Sequence, residues 1–109
     1  MRSRFLLAAV VLTALGSVGV ARADDPAGPR QRELLYLLVQ DCGSCHGSTL
    51  KGGLGPPLLP RDLSGKPDEA LVDAIIKGRP GTPMPPWGFE LSEGEAAWLV
   101  QKMKQGLKK

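Results

Sequence analysis

The residues best suited to chemistry in this chain are Cys42, Cys45 and His46, set in the run Cys42-Gly43-Ser44-Cys45-His46. The C-x-x-C-H spacing has one dominant use, the covalent attachment of haem c. On a helical backbone, residues three apart share a face, so both thiols can reach the two vinyl groups of one porphyrin. The histidine follows the second cysteine directly, where a proximal iron ligand is needed. No other Cys or His occurs in the chain to compete for these parts.

Other uses of the same three residues fit less well. A structural zinc site takes four protein ligands, commonly in two pairs, and here three are crowded into one turn. A thioredoxin-like redox pair needs a βαβ framework, and no run of this sequence alternates with the period of two that a strand shows. A short-range structural disulfide would have no use for the histidine.

Haem iron with one histidine has a second axial position, and two methionines beyond the N-terminal segment could fill it. Met103 falls on the apolar stripe of a predicted helix and reads as core packing. Met84 stands between Pro83 and Pro85 in a loop, where flanking prolines reduce the entropy lost in fixing its thioether. Met84 is therefore the expected distal ligand. His/Met ligation saturates the iron and raises its potential, which suits electron transfer and argues against an enzyme. A gas binder or haem enzyme with a displaceable methionine is the weaker alternative.

These residues must be carried by helices and loops. Residues 24–29 read as a flexible tail. From Arg30, Leu34, Leu37, Leu38 and Asp41 form one helical stripe, and the helix is expected to run to Cys45 or His46. Gly47 to Pro60, rich in Gly and Pro, reads as a loop; its interspersed Leu50, Leu54, Leu58 and Leu59 suggest that it lies over an apolar object. A second helix is expected with Pro67 in its first turn and Gly78 as its stop. Arg79 to Pro86 returns to loop. Ser92 and Glu95 form a capping box that opens a last helix to about Gln105, with Ala96, Leu99, Val100 and Met103 as its stripe. The predicted class is all-α.

Composition and charge narrow the setting. Arg2 and Arg4 precede an apolar run from Phe5 to Val20, and Ala21-Arg22-Ala23 supplies an A-x-A cleavage site, so residues 1–23 read as a signal peptide. The run is short of the roughly 20 residues that a membrane-spanning helix needs. A free periplasmic protein without stable membrane insertion is expected. Three of the 14 basic residues lie in this leader and none of the 11 acidic ones do, which leaves eleven of each in residues 24–109. A neutral chain with no clustered basic footprint excludes nucleic acid as a partner. The 86 residues beyond the leader hold only Tyr36, Trp87, Phe89 and Trp98 as aromatics. A core so small needs a staple, and a covalent porphyrin supplies one. Arg61, Arg79 and Trp87 could reach haem propionates but read first as ordinary loop residues. Lys102, Lys104, Lys108 and Lys109 read as complements to the last helix's dipole.

This order of parts resembles the small class I cytochromes c over residues 30–106, with residues 107–109 left as a tail. The resemblance implies three main helices and loops wrapped around one haem. It also implies that Pro56, in Gly55-Pro56-Pro57-Leu58, accepts the ring N–H of His46 and that Leu58 packs on the porphyrin. Such folds commonly cross their first and last helices at a small residue; here Leu34 and Leu38 hold the corresponding places. The runs Gln40 to His46, Gly52 to Pro56 and Gly78 to Trp87 resemble the small periplasmic cytochromes of denitrification nitrite reductase clusters. That resemblance implies periplasmic redox partners, among them the haem c/haem d nitrite reductase, or alternatively a part in maturing its haem d. The cytochrome c maturation machinery would attach the haem, and a monomer is expected. The docking face would be the thioether edge flanked by Gly47, Leu50, Lys51 and the Met84 loop.

Overall fold

The computed structural model describes Gly16 and residues 25–108. Apart from Gly16, the predicted leader and its cleavage site lie outside the described residues. Among the described residues regular structure is entirely helical, as the sequence predicts, and no helix is long and apolar enough to cross a membrane.

Helix α1 (Gly28–Leu37) starts two residues ahead of the expected Arg30. Pro29 fits its first turn, because the ring pre-sets φ and the missing N–H has no intrahelical partner to lose. The chain then passes through a π-helical turn (Leu38–Cys42) into the short α2 (Gly43–His46). Sequence pattern predicted one continuous α-helix here. The wider turn breaks that register just before the first cysteine, so the thiol-bearing residues do not simply continue the stripe of Leu34, Leu37 and Leu38.

A short helix that the sequence pattern does not predict, α3 (Pro60–Leu63), begins at the last residue of the expected loop. Pro60 again occupies the first turn, the Leu59 N–H donates to Asp62 Oδ2 at 3.0 Å, and Leu63 is buried. Helix α4 (Asp68–Lys77) follows, with Pro67 as its cap rather than inside its first turn. Pro67 has an extended ψ of 140°, and its carbonyl accepts the Leu71 N–H at 3.3 Å. Helix α5 (Glu93–Gln105) begins with the predicted capping box: Glu95 N–H donates to Ser92 Oγ and Ser92 N–H to Glu95 Oε1, both at 3.1 Å. Two otherwise orphaned donors are satisfied this way.

The core lies where α1, the π-turn and α5 meet. Leu34, Leu38, Leu99 and Val100 are fully buried there, with Leu50, Leu63, Leu91, Trp98 and Met103 around them. Leu34 and Leu38 are buried in one cluster with Trp98, Leu99 and Val100 of α5. Each fully buried leucine contributes about 1.5–3 kcal/mol relative to exposure. Polar ties fix the helix ends. Arg30 on α1 pairs with Glu95 on α5 and with Glu33. Lys104 lies in the last turn of α5, as expected, and also donates to Asp68 and to the Lys66 carbonyl, so it joins α5 to the start of α4. Lys102 is also engaged, its ammonium 5.1 Å from the Trp98 ring.

No side chain of α4 is fully buried, although Leu71, Val72, Ile75 and Ile76 pack against the core. Leu71, Ala74 and Ile75 face a cavity instead. That unfinished helix face marks the functional site.

Candidate functional site

The cavity has a volume of about 430 Å³ and lies between the C-x-x-C-H segment, the Gly-Pro loop, α4, α5 and the Met84 loop. All six residues singled out from the sequence line it: Cys42, Cys45, His46, Pro56, Leu58 and Met84. They come from three separate chain segments, so tertiary folding assembles the site.

His46 is held from two sides. Its Nδ1–H donates to the Pro56 carbonyl at 2.7 Å. A carbonyl can only accept, so this contact fixes the proton on Nδ1 and leaves the Nε2 lone pair free for a metal. Gly55 lies against the ring itself: a Cβ there would stand 2.8 Å from both Cε1 and Nδ1. The loop is tied to the helix end by Gly55 N–H to Cys45 O and Gly52 N–H to His46 O, each 2.8 Å. Ser44 Oγ–H donates to Asp41 O at 2.6 Å, between the π-turn and α2.

Cys42 and Cys45 form no disulfide with each other, and both are half-buried. Burial, with the Asp41 carboxylate adding to it, pushes the Cys42 thiol up to about 11. Before haem attachment it is therefore a protonated thiol at neutral pH, the form that can be buried at low cost.

The walls correct several sequence expectations. Arg79 and Trp87, read first as ordinary loop residues, line the cavity, whereas Arg61 does not. Leu50 is buried in the core with a positive φ of 60°, so it cannot belong to an exposed docking face. Leu54 is the leucine of that loop that faces out, 79% exposed at the cavity rim. Met103 is a core residue as expected, yet it also reaches the wall. Lys66 lines the cavity too, and nothing in its local sequence distinguishes it from other surface lysines.

Two thiols three apart, an imidazole with its Nε2 free and predominantly apolar walls fit a covalently held porphyrin. Comparison with known proteins agrees. Residues 29–101 match the family model described as cytochrome c oxidase, cbb3-type, subunit III. Cytochrome c55X of Pseudomonas aeruginosa is 55% identical over 83 residues, which span 76% of this chain and 70% of that protein. The chain belongs to the c-type cytochromes of the c55X family. A solved structure of the c-type cytochrome NirC matches with a TM-score of 0.72 at 55% identity, covering 73% of this chain and 94% of that one. The dihydro-heme d1 dehydrogenase of Pseudomonas aeruginosa is 41% identical over 79 residues, 72% of this chain but 16% of that larger protein.

As a c-type cytochrome the protein carries covalent haem c, and the C-x-x-C-H cysteines are Cys42 and Cys45. Kinship of this order marks an electron-transfer protein and not an enzyme.

Proposed function

We propose that this cytochrome is a periplasmic one-electron carrier whose haem iron is held by His46 Nε2 and Met84 sulfur, and that it delivers electrons to a nitrite reductase of denitrification. The haem supplies the Fe(II)/Fe(III) couple when bound. The chain's own residues do the rest. Cys42 and Cys45 tether the group, Pro56 keeps the His46 tautomer, and Leu58 with Leu71 and Ile75 excludes water. The observation that supports the reading is that His46 and Met84, from separate segments of the chain, line one cavity. One nitrogen and one sulfur donor would leave no open iron site for substrate, and thioether ligation would raise the potential. Small, weak docking contacts suit such redox encounters.

The ligand assignment is tested by Met84→Ala. The oxidised wild type is expected to show a far-red methionine–iron charge-transfer band, and the reduced form to resist carbon monoxide. The variant should lose the band and bind the gas; an unchanged spectrum would sink the assignment. Delivery to nitrite reductase is tested by stopped flow, mixing reduced cytochrome with the oxidised enzyme and following haem oxidation at low salt. Transfer slower than the enzyme's turnover would exclude it as the donor.

A second reading is favoured by the likeness to a dihydro-heme d1 dehydrogenase over 72% of the chain. It makes this protein a factor in maturing the haem d of the reductase. Nitrite reductase purified from a strain lacking this gene would then be deficient in haem d. A full complement would eliminate that role.

A further inference from the structure

The Met84 loop is built onto the end of α4, and one residue makes the close fit possible. Gly78 ends α4 with φ 67° and ψ −171°, a conformation essentially confined to glycine, and it is buried. A Cβ at Gly78 would stand 2.7 Å from Pro85 C and Pro86 N and 2.8 Å from Met84 O. The backbone of Met84 to Pro86 is thus laid directly on the bare Cα.

Hydrogen bonds hold it there from both sides. Arg79 N–H donates to Met84 O at 3.1 Å. Thr82 Oγ1–H donates to Arg79 O at 2.7 Å, while the same oxygen accepts the Met84 N–H at 3.3 Å. Past the prolines, Trp87 N–H donates to Ile75 O at 2.9 Å and Gly88 N–H to Ile76 O at 3.0 Å. The last carbonyls of α4, orphaned by the helix end, are satisfied by the returning loop. The segment after Met84 is therefore stitched to α4 itself, and the segment before it to Arg79, two residues past the end of that helix.

We infer that Gly78 is the positioning residue for the Met84 thioether: its missing side chain sets how close the Met84–Pro86 backbone lies to α4, and so how far the sulfur reaches into the cavity. This inference rests on Met84 as the iron's second ligand. Gly78 touches neither the porphyrin nor the iron in this role. It acts through the backbone of Met84, and Thr82 ties the loop in the same register.

The test compares holoprotein carrying Gly78→Ala with holoprotein carrying Gly81→Ala. Gly81 also has a positive φ, of 79°, but a Cβ there would meet nothing within 4 Å. Both changes add backbone strain, and only the first adds the contact with the ligand loop. Gly78→Ala is expected to weaken the far-red band and speed carbon monoxide binding to the reduced form by about tenfold or more, the factor that about 1.4 kcal/mol of lost closure gives. Gly81→Ala should keep the wild-type band and rate. Equal behaviour of the two variants would overturn the inference. If Gly78→Ala does not accumulate as holoprotein, Thr82→Val decides: it keeps the side-chain shape, removes the Oγ1 hydrogen bonds, and should weaken the band and speed gas binding severalfold. A Thr82→Val protein indistinguishable from wild type would overturn it. Failure of the ligand reading is distinguishable, since it alone would leave the band of Met84→Ala unchanged.

Discussion

The Nδ1 atom of His46 donates its proton to the carbonyl of Pro56 across 2.7 Å, and Gly55, the residue before that proline, packs on the face of the same ring. One loop therefore decides both the tautomer and the orientation of the imidazole. The proline cannot hold the ring if the preceding residue keeps the loop away from it.

Gly55→Ala tests that dependence. Its Cβ would fall 2.8 Å from the ring, so either the loop or the imidazole must move. Overpacking of this kind costs about 1–3 kcal/mol, read as a lower denaturation midpoint of the holoprotein. The His46 Nδ1–H resonance should exchange with solvent faster than in wild type.

Leu34 and Leu54 should respond oppositely to truncation. Leu34 is fully buried between α1 and α5, whereas Leu54 is 79% exposed. Leu34→Ala should destabilise by about 2–5 kcal/mol through lost contacts and a residual cavity. Leu54→Ala should stay within about 0.5 kcal/mol in urea titration. A larger loss for Leu54 would mean that the rim is part of the core.

Removing the Ser92 hydroxyl leaves the Glu95 N–H without its cap. Ser92→Ala should therefore cost about 0.5–2 kcal/mol, with Ser92→Gly milder. Thermal unfolding followed by circular dichroism gives the comparison, and equal stability of Ser92→Ala and wild type would argue against the observed cap in solution.

Acid stability should depend on Glu95 and Asp68. The Arg30 hydrogen bond, with the Ser92 cap behind it, holds the Glu95 carboxyl below its ordinary value of 4.5. The Lys104 hydrogen bond holds Asp68 below its ordinary 3.8. A depressed carboxyl contributes stability above its unfolded pKa and loses it as pH falls through the folded value. Stability should accordingly change little on account of these groups from pH 7 to 5 and fall below about 4.5. Glu95→Gln should flatten the upper part of that fall while lowering stability at pH 7, as shown by denaturant midpoints across the range.

Attachment chemistry and helix caps were legible in the sequence because they are local. Cys42, Cys45 and His46 lie within one turn, and Ser92 and Glu95 complete their box within four residues. Apolar spacing likewise indicated the helices and the burial of Leu34, Leu38, Leu99 and Met103. The π-turn was not legible, because its residues carry the same pattern as an α-helix. Tertiary structure alone decided that Leu50 turns inward while Leu54 turns out, that Arg79 and Trp87 wall the cavity, and that Lys104 reaches Asp68. It also decided what Gly55 and Gly78 lie against. A glycine in the chain announces only freedom of its own backbone. What that freedom permits depends on which distant atoms approach it: the His46 ring at Gly55, and the Met84–Pro86 backbone at Gly78.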